Sequence, residues 1–278
     1  GQPSPSELKP KGAYMTEFNL ISVTRDGSVA TVSLNRPEVR NALNPTMINE
    51  ITAAFRTFNA DDGIRVIVLS GEGSVFCAGG DLNWMKDVLG QSEEEVVNDS
   101  RHLLNMYRSI NDSPKLVIAA LHGTAVAGGI GILSCADVVI AEAQTKFCIS
   151  EVKIGLVPGI IAAFILPRVG PGWFRYLSKT AILFDTETAR TAGLIHEIAA
   201  DDSDLIKRVA NHIKRALGAS PDAIAETGYL IDALGYGVSE ENLTKGLLFN
   251  AKARISSAAQ EGISGFLEKR SPTWESDS

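Results

Sequence analysis

The 278-residue sequence predicts an α/β fold of repeated strand-strand-helix units that closes in a helical C-terminal region, and three observations carry that expectation. Short β-branched runs such as Arg65 to Leu69 and Lys115 to Leu121 are apolar without alternation, as in parallel strands covered on both faces. Between them, Met47, Ile48, Ile51, Ala54, Phe55 and Phe58 recur at helical spacing, as do Val96, Val97, Leu103, Leu104 and Tyr107 within Glu93 to Ile110. Past Ala181 the strand signal fades and helical patterns take over.

Taken in order, residues 1–14 are rich in Pro, Ser, Gly and Lys and read as a flexible tail, native or appended. Phe18 to Val23 and Val29 to Leu34 flank Asp26-Gly27, a hairpin signal. Asn44 and Pro45 supply an N-cap and a first-turn residue for the helix that follows. The run from Arg65 enters a first glycine segment, Phe76 to Leu82, and the run from Lys115 enters a second, Gly123 to Gly131. Helices are then expected over Asp185 to Ala192, Asp204 to Leu217, Pro221 to Leu234 and, with a break, Glu240 to Lys269. A soft boundary near Gly193 to Ala200 divides a core, residues 15–195, from a helical C-terminal region, residues 196–278.

Composition narrows the function. A formal net charge of −7 argues against nucleic-acid partners, while leaving room for a local basic cluster that grips a phosphorylated ligand. No apolar run reaches the roughly 18 residues of a membrane span, so no membrane partner is expected and the chain reads as cytoplasmic. Cys77, Cys135 and Cys148 are odd in number and widely spaced, which suits free thiols in a reducing compartment and no metal site.

Chemistry concentrates in the two glycine segments. Each places paired glycines where a strand gives way to a helix, so bare N–H groups face whatever approaches. Two such turns converging on one carbonyl oxygen would make an oxyanion hole; close packing alone is the other reading. Gly129-Ile130-Gly131 lacks the third glycine of a dinucleotide loop. His122 has no Ser or Asp in a recognisable arrangement and reads as structural, while His102, His196 and His212 read as surface or packing residues.

Leu34 to Leu43, Phe76 to Leu82, His122 to Gly129, Ser150 to Gly159 and Glu261 to Arg270 resemble, in order, five motifs of the enoyl-CoA hydratase/isomerase (crotonase) superfamily. The resemblance runs from Met15 to Trp274. It implies the crotonase-type spiral of ββα units, with a helical C-terminal trimerisation region, and a homotrimer or hexamer. The implied ligand is an acyl-CoA thioester, with coenzyme A as part of the substrate and no separate cofactor. Its carbonyl oxygen would lie between the N–H groups of Gly80 and Gly128, and chemistry would pass through an enolate.

The resemblance also implies the remaining site. Of the two glutamates that family hydratases direct at the substrate, one matches Glu151; the other position is Gly131, which has no side chain. The stretch Gly128 to Pro158 resembles bacterial methylglutaconyl-CoA and isohexenylglutaconyl-CoA hydratases, a branch with a small residue at that position. Family isomerases, in contrast, move one proton with one glutamate. Gly159 to Phe164 makes the acyl floor more apolar than that hydratase branch has it, which disfavours a carboxylated acyl group. Arg40, Ala42, Ala78, Gly80, Asp81 and Leu82 match positions that meet CoA, as do Phe266 and Lys269, often across a subunit boundary. Without the resemblance, Glu151 reads as a surface acid paired with Lys153, Asp81 as a helix N-terminal acid, Trp84 and Met85 as core or cavity rim, and Lys269 as a solvated end. The sequence therefore points first to a hydratase, then to a double-bond isomerase, then to a binder without chemistry.

Overall fold

An antiparallel hairpin opens the fold, with β1 (Ile21–Asp26) and β2 (Val29–Leu34) joined at Gly27, whose φ of 55° favours a residue without a Cβ. The computed structural model describes residues 18–87, 91–234, 241 and 256–276. The Asn44 side chain accepts the Met47 N–H at 2.9 Å and so starts α1 (Pro45–Ala60), which leads to β3 (Val66–Gly71). The first glycine segment runs into α2 (Leu82–Asp87), and a Ser92/Glu95 capping box starts α3 (Glu93–Asn111). Then come β4 (Leu116–Leu121), β5 (Thr124–Val126), α4 (Gly128–Ser134), β6 (Val138–Glu142) and β7 (Lys146–Cys148). The chain continues through α5 (Gly159–Thr180), β8 (Phe184–Asp185), α6 (Thr186–Thr191), β9 (Glu197–Ala199), α7 (Asp202–Leu217) and α8 (Pro221–Leu234). Two further helices, α9 (Ser257–Glu268) and α10 (Thr273–Ser276), complete the described chain.

The main sheet has six strands in the order β1-β2-β3-β4-β6-β9, parallel beyond the opening hairpin. Its central strands β3 and β4 are nearly all apolar because both faces are covered. Ile67 and Leu69 join Phe55, Phe58 and Tyr107 under α1 and α3, whereas Val66 and Val68 join Leu205 and Val209 under α7. Each such side chain, fully buried, contributes about 1.5–3 kcal/mol. A second sheet, β5-β7-β8, stands beyond the C-terminal ends of β3 and β4.

The structure departs from the sequence reading at three places. The first strand starts at Ile21, because the Asn19 and Leu20 N–H groups donate to the Glu50 carboxylate and hold that stretch against α1. Two strands lie past Ala181 where only helices were expected, and β9 closes the edge of the main sheet against β6. Both are too short to show an apolar period, and β9 is set partly by a side chain, since His196 Nδ1 accepts the Val139 N–H at 2.9 Å. The third departure is α5, which Pro167, Gly170 and Pro171 conceal in the sequence; it is two helical stretches that abut at Gly170, with φ 70° and ψ 166°. From α5, Arg168 reaches the C-terminal end of α4, donating to the Ser134 carbonyl at 2.7 Å and to the Ala136 carbonyl. The expected helix over 240–269 is described only at residue 241 and from residue 256 onward; residues 240 and 242–255 and the expected tail over 1–14 lie outside the described residues. No helix among the described residues is long and apolar enough to cross a membrane.

The loop between β2 and α1 depends on one buried side chain. Asn41 sits at a φ of 54° with its Oδ1 accepting the Arg36 N–H and its Nδ2 donating to the Glu72 and Val75 carbonyls, each at 2.8 Å. Asn41→Ala strands these groups, at about 1–3 kcal/mol for each one left buried, and removes a residue type that tolerates positive φ. Chemical denaturation is expected to show a loss of at least about 3 kcal/mol, and a change below about 1 kcal/mol would contradict this account.

Candidate active site

The two glycine segments leave the C-terminal ends of β3 and β4 and pair with each other. Cys77 N–H donates to the Thr124 carbonyl at 3.1 Å, and Val126 N–H to the Cys77 carbonyl at 2.9 Å, a parallel bridge between Cys77 and Ala125. A Cβ at Gly129 would fall 2.8 Å from the Cys77 Cβ and 2.9 Å from its carbonyl, so the approach requires glycine. Leu43 sits between the segments. Its N–H donates to the Gly79 carbonyl at 2.7 Å, its carbonyl accepts from Asp81 at 2.8 Å, and its Cδ1 lies 2.9 Å from where a Gly128 Cβ would stand.

These bonds straddle Gly80 and leave its own N–H unused. Among the described residues neither the Gly80 nor the Gly128 N–H has a hydrogen-bond partner. Gly128 opens α4, where the first amides have no partner within the helix. Ala127 turns the chain into that helix at φ 45° and ψ −111°, a sparsely populated conformation held by its N–H bond to the Cys148 carbonyl at 2.9 Å. Ala127 was not legible as a special residue, because nothing local in an alanine announces positive φ.

The same bond brings up the fourth segment. β5 pairs with β7 in parallel, Val126 opposite Cys148, and three residues later Glu151 opens a single 3-10 turn, Glu151–Ile154, closed by Gly155 at φ 77°. Glu151 is half-buried and its Oε2 is wholly buried with no hydrogen-bond partner among the described residues. Burial pushes its carboxyl above the ordinary range, against the pull of the Glu151 and Ser150 N–H groups. The paired surface acid is overturned: the segment is a turn, not a strand, and the Lys153 ammonium stands 3.9 Å from the Cys148 thiol instead.

At Gly131 on α4 the space a side chain would need is already filled. A Cβ at Gly131 would lie 2.5 Å from Ile161 Cγ2 and 2.8 Å from the ring of Tyr107. Tyr107 is 0% exposed, tilts against Phe164 at 5.5 Å, and donates its hydroxyl to the Gly128 carbonyl at 3.1 Å. The sequence shows Tyr107 only as one apolar position of α3, and its place against α4 follows from the packing of the two helices.

The residues matched to CoA contacts divide into two groups. Arg40, at φ 55° and exposed, accepts the Ala78 N–H on its carbonyl at 3.0 Å, and Ala42 is buried beside Leu43. Asp81 opposes its own desolvation with the Asn83 N–H at 2.8 Å and Arg36 Nη2 at 2.9 Å, and these bonds hold its carboxyl below the ordinary range. Arg36, not singled out from the sequence, also donates to the Ala42 carbonyl at 2.6 Å. Leu82 follows as an exposed apolar residue, 73% accessible, on α2; Trp84 packs on the core and donates to Asp99 at 2.8 Å. The loop carrying Arg40 and Ala42 is thus bonded to the segment carrying Ala78, Gly80, Asp81 and Leu82, and Leu43 between them stands against Gly128. Lys269 is exposed after α9, in a segment tied to the opposite end of β3 through the Arg65 bond to the Trp274 carbonyl at 2.8 Å. The Phe266 side chain lies outside the described residues.

Residues 24–277 match the family described as enoyl-CoA hydratase/isomerase. A 1,2-epoxyphenylacetyl-CoA isomerase of Escherichia coli is 32% identical over 268 residues, covering 93% of this chain and 98% of the relative. A crotonyl-CoA hydratase of Syntrophomonas wolfei is 29% identical over 259 residues, covering 91% and 96%. The crystal structure of an enoyl-CoA hydratase from Shewanella pealeana superposes with a TM-score of 0.89 at 31% identity, covering 93% of this chain and 97% of that one.

Two substitutions test the geometry. Gly131→Ala is expected to destabilise the fold by about 1–3 kcal/mol, measured by denaturant melts, since Ile161 and Tyr107 must both give way. Glu151→Gln is expected to stabilise it, in a pH-dependent way. The fold raises the carboxyl pKa, so the ionised form is penalised once the pH has risen through that value, whereas below the unfolded value both states are protonated and the penalty is absent. Thermal melts should place the variant above wild type near pH ~8 and level with it near pH ~4; a constant offset would contradict the burial.

Proposed function

The chain belongs to the enoyl-CoA hydratase/isomerase family, and on that premise we propose that it adds water across the double bond of an α,β-unsaturated acyl-CoA thioester. The observation that carries this reading is the unpartnered Oε2 of Glu151 together with two unused glycine amides. An acceptor and two donors, all without partners among the described residues, suit a substrate that brings the complementary groups.

The Gly80 and Gly128 N–H groups hold the thioester oxygen, each such donor being worth about 2.7–4 kcal/mol as negative charge grows there. Glu151, ionised, takes a proton from water as the hydroxyl bonds to C3 and the double-bond electrons move through C2 to the thioester oxygen. The resulting enolate then takes that proton from Glu151 at C2, which restores the carboxylate. One acid thus carries both transfers, and a pKa raised by burial suits a group that must accept and return a proton near neutrality. Ile160, Ile161 and Phe164 offer the acyl chain an apolar floor, which favours an acyl group free of charge.

Arg40, Ala42, Ala78, Asp81 and Leu82 border the CoA path in this reading, Asp81 by holding Arg36 and the loop in place. Phe266 and Lys269 reach CoA from a neighbouring subunit of a trimer or hexamer, and the exposed Ile154, Leu156 and Val157 supply apolar surface for such contact. Three free buried thiols suit a reducing cytoplasm.

One observation favours a second reading, a double-bond isomerase. Tyr107 and Ile161 close the place of a second acid, and moving a proton between carbons needs only one. A panel of 2-enoyl-CoA and 3-enoyl-CoA thioesters in oxygen-18 water separates the two. The expected result is label in the product at C3, lost by about 10²–10⁴-fold in Glu151→Gln. Double-bond migration without label supports the isomerase, and binding without turnover sinks both.

A further inference from the structure

We propose that Tyr107 is a positioning residue for the oxyanion site, its hydroxyl pinning the first turn of α4 so that the Gly128 N–H stays aimed at the thioester oxygen. The inference rests on the reading of Gly128 as an oxyanion donor and adds the group that holds it there.

The first turn of α4 has little stiffness of its own. Three of its first four residues, Gly128, Gly129 and Gly131, are glycine, and the Ala127 cap lends no side-chain hydrogen bond. Preorganised donors are effective because they need not reorient as charge develops, so a stretch this loose requires an external hold. Tyr107 supplies it at two points. Its hydroxyl donates to the Gly128 carbonyl at 3.1 Å and lies 3.2 Å from the position a Gly128 Cβ would take, while its ring covers Gly131 one turn later. The ring itself is fixed by Phe164 and by complete burial in the core under α1 and α3.

The phenol is also held in its donor form. Burial, then the neighbouring Cys135, Cys77 and Glu151, push its ionisation well above the ordinary tyrosine value, so it presents a proton to Gly128 across the working pH range. That carbonyl is its one hydrogen-bond partner among the described residues, and the hydroxyl is what distinguishes it from a space-filling phenylalanine.

Tyr107→Phe keeps the ring and removes the hydroxyl. The expected result is a fall in kcat on the order of tenfold, as for loss of one buried hydrogen bond, with affinity for free CoA unchanged because free CoA has no thioester carbonyl. The infrared carbonyl stretch of bound crotonyl-CoA, with turnover halted by Glu151→Gln, gives a readout that packing would not move. With Tyr107 present the stretch is expected well below its solution frequency, and with Tyr107→Phe added it is expected part of the way back. A shifted stretch that ignores the substitution, or kcat and free-CoA affinity falling together, overturns the role of Tyr107 alone. An unshifted stretch with Tyr107 in place overturns the oxyanion reading as well. Should Tyr107→Phe fail to fold, 3-fluorotyrosine at position 107, a stronger donor of nearly the same shape, should lower the frequency further, and an unmoved stretch overturns the proposal.

Discussion

The pairing of Cys77 with Ala125 is the contact on which the rest of the site depends. Two backbone hydrogen bonds lay the segment leaving β3 alongside the segment leaving β4, and no side chain takes part in them. Gly80 and Gly128 reach a common end because their strands are parallel neighbours and their exits are stitched in register. Glu151 arrives by the same means, through β5 pairing with β7. Main-chain geometry therefore joins the segments that carry Gly80, Gly128 and Glu151, and side chains decide only what lies around them.

The two carboxylates of the site show how differently one fold can treat like groups. Asp81 is nearly buried and fully engaged, with Arg36 on one oxygen and the Asn83 N–H on the other. A buried pair of this kind adds little net stability but leaves an uncompensated charge if broken, so it fixes the loop from Arg36 to Leu43 against α2. Glu151 is left with an oxygen that nothing among the described residues satisfies. The first is satisfied within the fold, and the second is not.

How much of this was legible in the sequence depends on the range of the interactions involved. The cap at Asn44, the apolar face of α1 and the strands from Val66 and Leu116 arise from local pattern, and the structure has them within a residue or two. The glycine turns were legible as places of close backbone approach, whereas Glu151 was singled out only through the family resemblance. Arg36, Ala127 and Tyr107 were not singled out, since an arginine beside a proline, an alanine and a helical aromatic each have many ordinary uses. Their roles exist only once Asp81, Cys148 and Gly128, distant in sequence, are brought against them. The strands β8 and β9 escaped for the same reason, being short segments recruited by partners already in place.

The closed space over Gly131 couples three positions that are distant in sequence. A glutamate cannot enter position 131 while Tyr107 and Ile161 keep their places, and a smaller residue at either of those positions opens a void in the core as long as position 131 stays glycine. Either change alone thus leaves a strained or hollow protein. Positions 107, 131 and 161 are packed as a set, so a larger residue at one calls for a smaller one at another.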